Sequence, residues 1–160
     1  MDPVQIVLVS DNHGRIQPLQ YLRTAWPDAG YYLNCGDVCV PEVYAEGFAC
    51  VKGNMDNAFE YPMSMEIEIG KHRILVVHGH RHLFRYNDYS FLCETARRKE
   101  CDTVFFGHLH RYIDTEINGI RLLNPGSIRS NRDGTPPSYM IVTVTDDAVT
   151  AERHNYSQER

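Results

Sequence analysis

Short runs of β-branched and aromatic residues recur along this chain, and each run stops abruptly at polar residues or glycine. Apolar runs of about four to eight residues are typical of buried strands. Between the early runs, apolar side chains from Ile16 to Trp26 fall on one helical face, and Pro27 ends that pattern. The first half is therefore predicted to alternate strands and helices, with strands over residues 5–10, 31–33 and 48–51 and a brief helix over 41–46.

Hairpins dominate the second half. Apolar and polar residues alternate over 63–69, and an apolar run over 74–77 follows Gly70 and Lys71, which predicts a hairpin with one solvated face. Strands interleaved with helices, followed by hairpins, predict two mixed sheets packed together with helices on their outer faces. The remaining predicted elements are a helix capped by Asp88 and reaching about residue 100, a strand over 103–106, hairpins turning at Asn118–Gly119 (a type I′ pair) and near Asp146–Asp147, and a frayed tail over 154–160.

The composition is that of one globular domain over residues 1–160, with 42% hydrophobic and 23% charged residues. A formal charge of -5 argues against a protein whose main task is to neutralise a nucleic-acid backbone. The sequence has no basic leader followed by an apolar segment and no apolar run of about 20 residues, so a protein without a membrane span is expected. The cysteines are five and scattered, which favours reduced thiols in the cytoplasm.

The polar residues that stop the buried runs are mostly possible metal ligands. Loops at the carboxyl ends of strands form the ligand sites of α/β proteins, so these strand ends are expected to meet in one cleft. The candidate ligands are Asp11, His13, Asp37, Asn54, His78, His108 and His110.

Each motif has an ordinary alternative, because Asp-Asn-His-Gly, Gly-Asp and Gly-Asn also form simple turns and paired histidines are often solvated. Chance placement of all of them at successive strand ends is a much weaker explanation. Carboxylate, amide and imidazole ligands together suit manganese, iron, zinc or nickel better than calcium. Seven ligands suit two ions that share a carboxylate, and two ions about 3.5–4 Å apart lower the pKa of a bridging water and bind phosphoryl oxygens.

The ordered motifs Asp-x-His, Gly-Asp, Gly-Asn, His-Gly-His and Gly-His-x-His resemble those of the calcineurin-like metallophosphoesterase superfamily. The similarity is greatest to its small bacterial and archaeal phosphodiesterase branch (YfcE type), whose ending resembles residues 124–127, 132–134 and 138–139 here. The resemblance implies an α/β (α+β) four-layer αββα sandwich, the metallo-dependent phosphatase fold. It also implies two divalent metal ions, with Mn²⁺ expected and Ni²⁺, Fe or Zn²⁺ as alternatives, and a homodimer or homotetramer.

By the same resemblance, Asp37 bridges the two ions. Asp11, His13 and His110 are expected to hold one ion, and Asn54, His78 and His108 the other. Many phosphatases of the superfamily have a histidine directly after Gly-Asn, near the leaving group, whereas this chain has Met55. The general acid is therefore left open between His80, Asp56 and water, and His80 is alternatively a residue that orients a ligand.

The expected activity is hydrolysis of a small phosphate ester, most of all a phosphodiester, at this centre. Asn54 and Arg81 are the candidate substrate-binding residues, with Arg129 and Arg132 within possible reach. Only 16 residues separate Asp37 from Asn54, so no large cap is expected and the cleft should be open. The alternatives are a phosphomonoesterase, a dinucleoside polyphosphate hydrolase, a non-catalytic protein-binding scaffold of the same fold, and a structural zinc module at Cys35 and Cys39.

Overall fold

The computed structural model describes residues 1–157. Its regular elements, in chain order, are β1 (Val4–Val9), α1 (Gln17–Ala25), β2 (Tyr31–Asn34), a 3₁₀ turn (Glu42–Tyr44), β3 (Ala49–Cys50), β4 (Ser64–Ile69), β5 (His72–Val77), α2 (Ser90–Arg98), β6 (Thr103–Phe105), β7 (Tyr112–Ile117), β8 (Ile120–Pro125), β9 (Ser138–Val144) and β10 (Val149–Asn155).

The strands form two mixed five-stranded sheets. The first has the order β10-β9-β1-β2-β3, in which β1, β2 and β3 are parallel and the β9–β10 hairpin is antiparallel to β1. The second has the order β4-β5-β6-β8-β7, in which β5, β6 and β8 are parallel and the two edge strands are antiparallel to their neighbours. Each sheet thus has three parallel strands whose carboxyl ends share one edge.

Three apolar clusters separate four layers. The central cluster lies between the sheets, where Ile6 and Leu8 of β1 pack with Ile74 and Val76 of β5. A second cluster packs Leu19 and Leu22 of α1 against the outer face of the first sheet, and a third packs α2 against the outer face of the second sheet. The expected four-layer αββα sandwich of two mixed sheets flanked by helices is confirmed.

The hairpin turns agree with the sequence pattern. Asn118 and Gly119 have φ angles of 51° and 83°, as the predicted type I′ turn requires, and they join Ile117 to its cross-strand partner Ile120. The predicted hairpin around Gly70 is also present as β4–β5.

Several predicted boundaries differ from the structure, among them the start of β1 at Val4, the short 3₁₀ turn Glu42–Tyr44 in place of a helix over 41–46, and the end of β6 at Phe105. Helix α2 begins at Ser90 with Tyr89 at its N-cap, and the Asp88 carboxylate instead accepts hydrogen bonds from the backbone and hydroxyl of Ser90. The tail is not frayed from His154, because β10 continues to Asn155 and Tyr156 is buried; residues 158–160 lie outside the described part of the chain. The predicted third strand over 48–51 shortens to Ala49–Cys50.

Within residues 1–157 the two α-helices have nine residues each, too few to cross a bilayer.

Candidate metal centre

The loops that follow six strands meet where the two sheets present their parallel carboxyl ends. Hydrogen bonds fasten these loops to one another. Asp11 N–H donates to Gly36 O at 2.9 Å, and the Ser127 hydroxyl donates to Asp11 O at 2.8 Å. Gly107 N–H donates to His78 O at 3.0 Å within the second sheet. The ligand-bearing loops of both sheets are therefore held in one place by hydrogen bonds to their backbones.

Asp11, His13 and His110 form the first group of possible ligands. The Asp11 Oδ1 atom lies 3.2 Å from His110 Nε2 and 3.7 Å from His13 Nε2. The two Nε2 atoms are 3.1 Å apart, so three ligand atoms surround one small space.

A second group lies beside the first. Asn54 Oδ1 is 3.0 Å from His78 Nε2 and 3.1 Å from His108 Nδ1. Asp37 Oδ2 lies 3.4 Å from His78 Nε2 and 3.8 Å from His13 Nε2, and so faces both groups. Asp11 Oδ1 also lies 3.9 Å from His78 Nε2. All seven ligands named from the sequence are thus brought together, although whether they bind metal stays a prediction.

Hydrogen bonds on the outer side of the ligands fix their orientation. His78 Nδ1 lies 2.8 Å from Cys35 O, and His110 Nδ1 lies 2.9 Å from Ser130 O. A carbonyl oxygen only accepts, so both Nδ1 atoms carry a proton and both Nε2 atoms face the centre, where the neutral form of each ring offers a lone pair. A histidine that binds a metal through one ring nitrogen usually donates a hydrogen bond through the other.

Hydrogen bonds also orient the carboxylate of Asp11. Asp11 Oδ2 accepts hydrogen bonds from the Ser10 hydroxyl at 2.6 Å and from His108 N–H at 3.0 Å. Asp11 Oδ1 is buried and accepts no hydrogen bond from any residue in 1–157. Leaving a buried carboxylate oxygen unpaired is costly, and a cation among the neighbouring ligand atoms would remove that cost. The residues present therefore fit a metal ion.

The electrostatics of the centre also favour a cation. Burial alone would raise the pKa of Asp11, but His110, His13, the charge of His78 and the Ser10 hydroxyl together lower it far below its usual range. Burial is likewise outweighed at Asp37, whose pKa is lowered mainly by His78. Both groups are thus carboxylates at neutral pH, which places two negative charges at the centre.

The backbone at the ligands is unusual. Left-handed φ angles occur at five of the seven ligand positions, and such angles cost residues other than glycine about 1–3 kcal/mol each. These positions are Asp11 (54°), His13 (43°), Asp37 (54°), His108 (71°) and His110 (52°).

Gly53 and Gly107 lie where two ligand loops approach each other too closely for a side chain to fit. A Cβ atom at Gly53 would lie 2.1 Å from Asp37 Oδ1, and one at Gly107 would lie 2.0 Å from Ser10 Oγ. Any side chain at either position would therefore displace a ligand loop.

Asp56 does not have the role that the sequence left open for it. Its side chain is fully buried, and its carboxylate accepts hydrogen bonds from the N–H groups of Val38 (3.3 Å), Cys39 (2.9 Å) and Gly53 (2.8 Å). Both carboxylate oxygens are therefore directed at backbone N–H groups, and full burial keeps the side chain away from a substrate in the open cleft. The suggestion of Asp56 as general acid is wrong, and Asp56 instead joins the Asp37 loop to the Asn54 loop.

His80 and Arg81 lie at the rim of the centre. The His80 ring is 5.4 Å from the His78 ring and 6.3 Å from the His108 ring, and its Nδ1 atom is buried without a partner in residues 1–157. Burial, followed by the charges of His78, His108 and Arg81, lowers the pKa of His80. Arg81, Asn54 and Met55 are exposed, so the centre is open to solvent, as the short intervening loop led us to expect.

Sequence reasoning missed the polar scaffold beneath the ligands. Asn34 Nδ2 donates to Asn12 Oδ1 at 3.1 Å, and Asn12 Nδ2 donates to Val38 O at 3.0 Å. Asn124 Nδ2 donates to Gly107 O at 3.0 Å. These asparagines are completely buried. Their position directly at strand ends was the available signal, because a buried asparagine there must satisfy loop backbone groups.

Sequence reasoning also missed two cavities that flank the centre. One has a volume of about 360 Å³ and lies beside His78, His80 and Arg81. The other has a volume of about 500 Å³ and includes His108 in its wall. Both open beside the ligands, so a substrate bound at the centre would extend into one or the other.

Comparison with known proteins gives one family. Residues 4–147 match the calcineurin-like phosphoesterase superfamily domain. A probable metallophosphoesterase of Bacillus subtilis, YsnB, is 32% identical over 152 residues, which cover 92% of this chain and 88% of that protein.

Solved structures agree with this match. A conserved uncharacterized protein from Streptococcus pneumoniae, named a predicted phosphoesterase, has a TM-score of 0.88 at 27% identity, with 99% of this chain and 95% of that chain covered. Vacuolar protein sorting 29 from Cryptosporidium parvum has a TM-score of 0.74 at 22% identity, with 98% and 99% covered. The Escherichia coli phosphoesterase YfcE has a TM-score of 0.66 at 20% identity, with 93% of this chain and 98% of that chain covered. An archaeal phosphodiesterase has a TM-score of 0.65 at 18% identity, with 94% of this chain and 100% of that chain covered. The last three likenesses, at their low identities, establish the fold alone.

Proposed function

Because the chain belongs to the calcineurin-like phosphoesterase superfamily, a family of metal-dependent phosphoester hydrolases, we propose that it is a phosphodiesterase with a two-metal centre. One observation carries the proposal. Two groups of ligand atoms lie side by side, Asp37 Oδ2 faces both, and Asp11 Oδ1 is buried beside imidazole nitrogens with no hydrogen bond from the described residues 1–157.

The two ions are assigned to the groups already described. Asp11, His13 and His110 would hold one, while Asn54, His78 and His108 would hold the other with Asp37 shared. Mixed nitrogen and oxygen ligands suit Mn²⁺, with Ni²⁺, Fe and Zn²⁺ as alternatives. When bound, such ions bind phosphoryl oxygens, stabilise the charge that develops on them and lower the pKa of water.

In the proposed reaction, a water oxygen forms a bond to phosphorus and the ester P–O bond breaks, so that a diester and water give a monoester and an alcohol. Asn54 and Arg81 are exposed beside the centre and would contact the phosphate oxygens. The leaving oxygen needs a proton or a hydrogen bond, which we assign to His80 or to water, since Asp56 is excluded.

The state of His80 bears on the substrate. Its lowered pKa makes it a neutral imidazole at pH 7, which donates a hydrogen bond but is a poor acid. Weak acid assistance favours esters with good leaving groups. Activated diesters are therefore the substrates that we expect this site to hydrolyse best.

We also propose a cellular location for the protein, on the basis of its cysteines. All five cysteines are free thiols, and burial raises the pKa of Cys50 to about 12 and that of Cys39 to about 11. Thiols of this kind support a reducing compartment, and we propose the cytoplasm. A homodimer or homotetramer stays a prediction, to be measured by light scattering.

The test compares bis(p-nitrophenyl) phosphate with p-nitrophenyl phosphate. Metal-stripped protein is assayed after Mn²⁺, Ni²⁺, Zn²⁺ or Mg²⁺ is restored one at a time. We expect metal-dependent hydrolysis with preference for the diester and loss of activity in Asp37→Asn. His82→Ala is the matched control, because His82 lies outside both ligand groups and stacks on Phe91 instead.

Two results would contradict the proposal. Preference for the monoester would make the protein a phosphomonoesterase. Binding of metal without hydrolysis of either ester would favour a protein-binding scaffold of the same fold.

A further inference from the structure

The cavity of about 500 Å³ beside His108 has no role in the scheme above. It lies between the loop before α2, the loop before β7 and the turn around Arg132. Its volume falls within the range of roughly 300–1,000 Å³ that is usual for small-molecule sites. His108 belongs both to its wall and to the second ligand group, so the cavity opens directly onto the proposed reaction centre.

Exposed aromatic rings line this cavity, with Phe84 stacked on Phe91 at 6.0 Å and the Arg111 guanidinium 5.2 Å from the centre of the Tyr86 ring. The side chains of Phe84 and Tyr86 are 73% and 83% exposed, although large apolar groups are normally covered. Tyr89 is fixed below them with its ring edge-on to Phe106 at 6.0 Å. Exposed aromatic faces beside a reaction centre are the feature by which proteins stack planar rings such as nucleobases.

A positive charge without a carboxylate partner lies next to these rings. The Arg111 guanidinium donates hydrogen bonds to Tyr86 Oη (3.0 Å), Asn87 Oδ1 (2.9 Å) and Tyr89 Oη (2.9 Å). It makes no ion pair with any acidic residue in the described part of the chain. The neutral oxygens fix the guanidinium but leave its charge uncompensated, which prepares it for an anion.

The other charged residues of the cavity wall strengthen this field. Arg85 and Arg132 add two positive charges, and Asp133 is the one acid among the lining residues, with its carboxylate bonded to Thr135. Arg132 shares the cavity wall with His108. A basic cavity in a chain of charge -5 is a local feature, suited to one small anion and not to a nucleic-acid polymer.

We propose that this cavity binds the nucleotide portion of a nucleotidyl phosphodiester, with the base on Phe84 and Tyr86 and the anionic portion at Arg111. The inference rests on the proposed phosphodiesterase function and names its substrate class. Ring faces and a cation in one cavity fit a nucleotide better than a sugar phosphate, which lacks the ring, or an apolar peptide, which lacks the charge.

Binding to metal-stripped protein tests the cavity without catalysis. Calorimetric titration with thymidine 5′-monophosphate, ribose 5-phosphate and inorganic phosphate should give the tightest binding for the nucleotide. Tyr86→Ala, Phe84→Ala and Arg111→Gln should each weaken nucleotide binding by about tenfold or more, as expected for loss of a stacking or ionic partner. Tyr44→Ala and Arg97→Gln are matched controls, because both side chains are exposed elsewhere on the surface. Equal affinity for nucleotide and ribose 5-phosphate, or equal losses in variants and controls, would overturn the proposal.

Kinetics separate this inference from the function on which it rests. The p-nitrophenyl ester of thymidine 5′-monophosphate and bis(p-nitrophenyl) phosphate release the same leaving group and differ only in the ester group that stays on phosphorus. The kcat/KM of the thymidine ester divided by that of bis(p-nitrophenyl) phosphate therefore measures how well the enzyme recognises the nucleoside. We expect that ratio to fall about tenfold in Tyr86→Ala and Arg111→Gln, and Arg111→Lys, which keeps the charge, to recover part of it. An unchanged ratio in an active enzyme would reject the nucleotide cavity alone.

Two further outcomes are decisive. Failure of the wild-type protein to hydrolyse either diester with any metal would reject the phosphodiesterase function, and the calorimetric result would then decide whether the cavity takes a nucleotide. Conversion of a wild-type dimer to monomer by Tyr86→Ala would assign Phe84 and Tyr86 to a subunit contact and overturn the proposal.

Discussion

Asp11 and Asp37 each use one carboxylate oxygen for structure and direct the other at the centre. Asp37 Oδ1 accepts the Met55 N–H at 2.9 Å while Oδ2 faces His13 and His78. Asp37 is the residue that lies between the two ligand groups. Its loss should therefore affect both groups, whereas loss of a ligand in one group should affect mainly that group.

This difference gives the first prediction. Metal content of purified variants, measured by plasma mass spectrometry after loading with Mn²⁺, should fall from about two ions to nearly none in Asp37→Ala and to about one in Asn54→Ala. His82→Ala should keep the wild-type content. Two ions in Asp37→Ala would show that the shared carboxylate is not required.

A second prediction concerns pH. Burial lowers the pKa of His78, but Asp37 and Asp11 outweigh it and raise that pKa above the usual value of about 6.5. His78 Nε2 therefore keeps its proton to higher pH than an ordinary histidine, and a metal must displace that proton. Below this pKa, affinity for Mn²⁺ should fall by up to about tenfold per pH unit, while the carboxylates, whose pKa values are lowered, stay charged.

Calorimetric titration of metal-stripped protein at pH 8, 7 and 6 measures this dependence. Proton release, seen as a dependence of the binding enthalpy on the buffer, should accompany binding at the lower pH values. Equal affinity at pH 6 and pH 8 would contradict it.

At the residue scale, the sequence predicted the possible ligands well because ligand chemistry depends on residue type, and those types follow each apolar run. It could not predict the role of Asp56, since a carboxylate in a Gly-Asn loop looks the same whether it faces substrate or backbone N–H groups. The tertiary contacts with Val38 and Cys39 decide that question. The cavity beside Arg111 was missed for the same reason, because Arg111 meets its three polar partners, Tyr86, Asn87 and Tyr89, only in the folded chain.

At the scale of elements, Asp56 connects two loops. The loop after β2 supplies the Val38 and Cys39 donors, and the loop after β3 supplies the Gly53 donor. The positions of Asp37 and Asn54 therefore depend on a residue that need not touch metal or substrate.

A third prediction follows from this link. Asp56→Ala leaves three N–H groups without their acceptor, two of them buried and one partly buried, so the free energy of unfolding measured in urea should fall by at least about 3 kcal/mol. Asp28→Ala, at an exposed position, should change it by no more than about 0.5 kcal/mol. A folded Asp56→Asn of wild-type stability that loses activity only on esters with poor leaving groups would restore Asp56 as the general acid.

The elements themselves were largely predictable because their patterns are local. Alternation over β4, the Asn118–Gly119 turn and the helical spacing of α1 each arise within a few residues. Boundaries that depend on distant partners were not predictable. β10 continues past Arg153 because His154 and Asn155 pair with Tyr139 and Ser138, and His154 stacks on Tyr139 at 5.2 Å.

For the whole molecule, the candidate centre connects the two sheets. Asp11, His13, Asp37 and Asn54 follow strands of the first sheet, while the three remaining histidines follow strands of the second. Bound ions would therefore join the sheets at one edge, in addition to the apolar cluster between them.

The fourth prediction concerns the melting temperature, Tm, of the protein with and without bound metal. Ions that bind only the folded protein stabilise it by about 2.7 kcal/mol per site at a hundredfold excess over Kd, which corresponds to a rise in Tm of roughly 5–10 °C. Scanning calorimetry with and without Mn²⁺ measures that shift. Hydrogen exchange should slow in the ligand loops of both sheets, and protection confined to one sheet would show that the ions do not join them.

The position of β1 has a consequence for the newly synthesised chain. β1 pairs on one side with β2 and on the other with β9, whose residues are made more than a hundred positions later. During translation, the first sheet therefore waits for the final hairpin, and the histidines after β6 also emerge late. The order of pairing along the chain thus places completion of the first sheet, and of the candidate centre at its edge, after the synthesis of β9, with long-range strand pairing as the slow event.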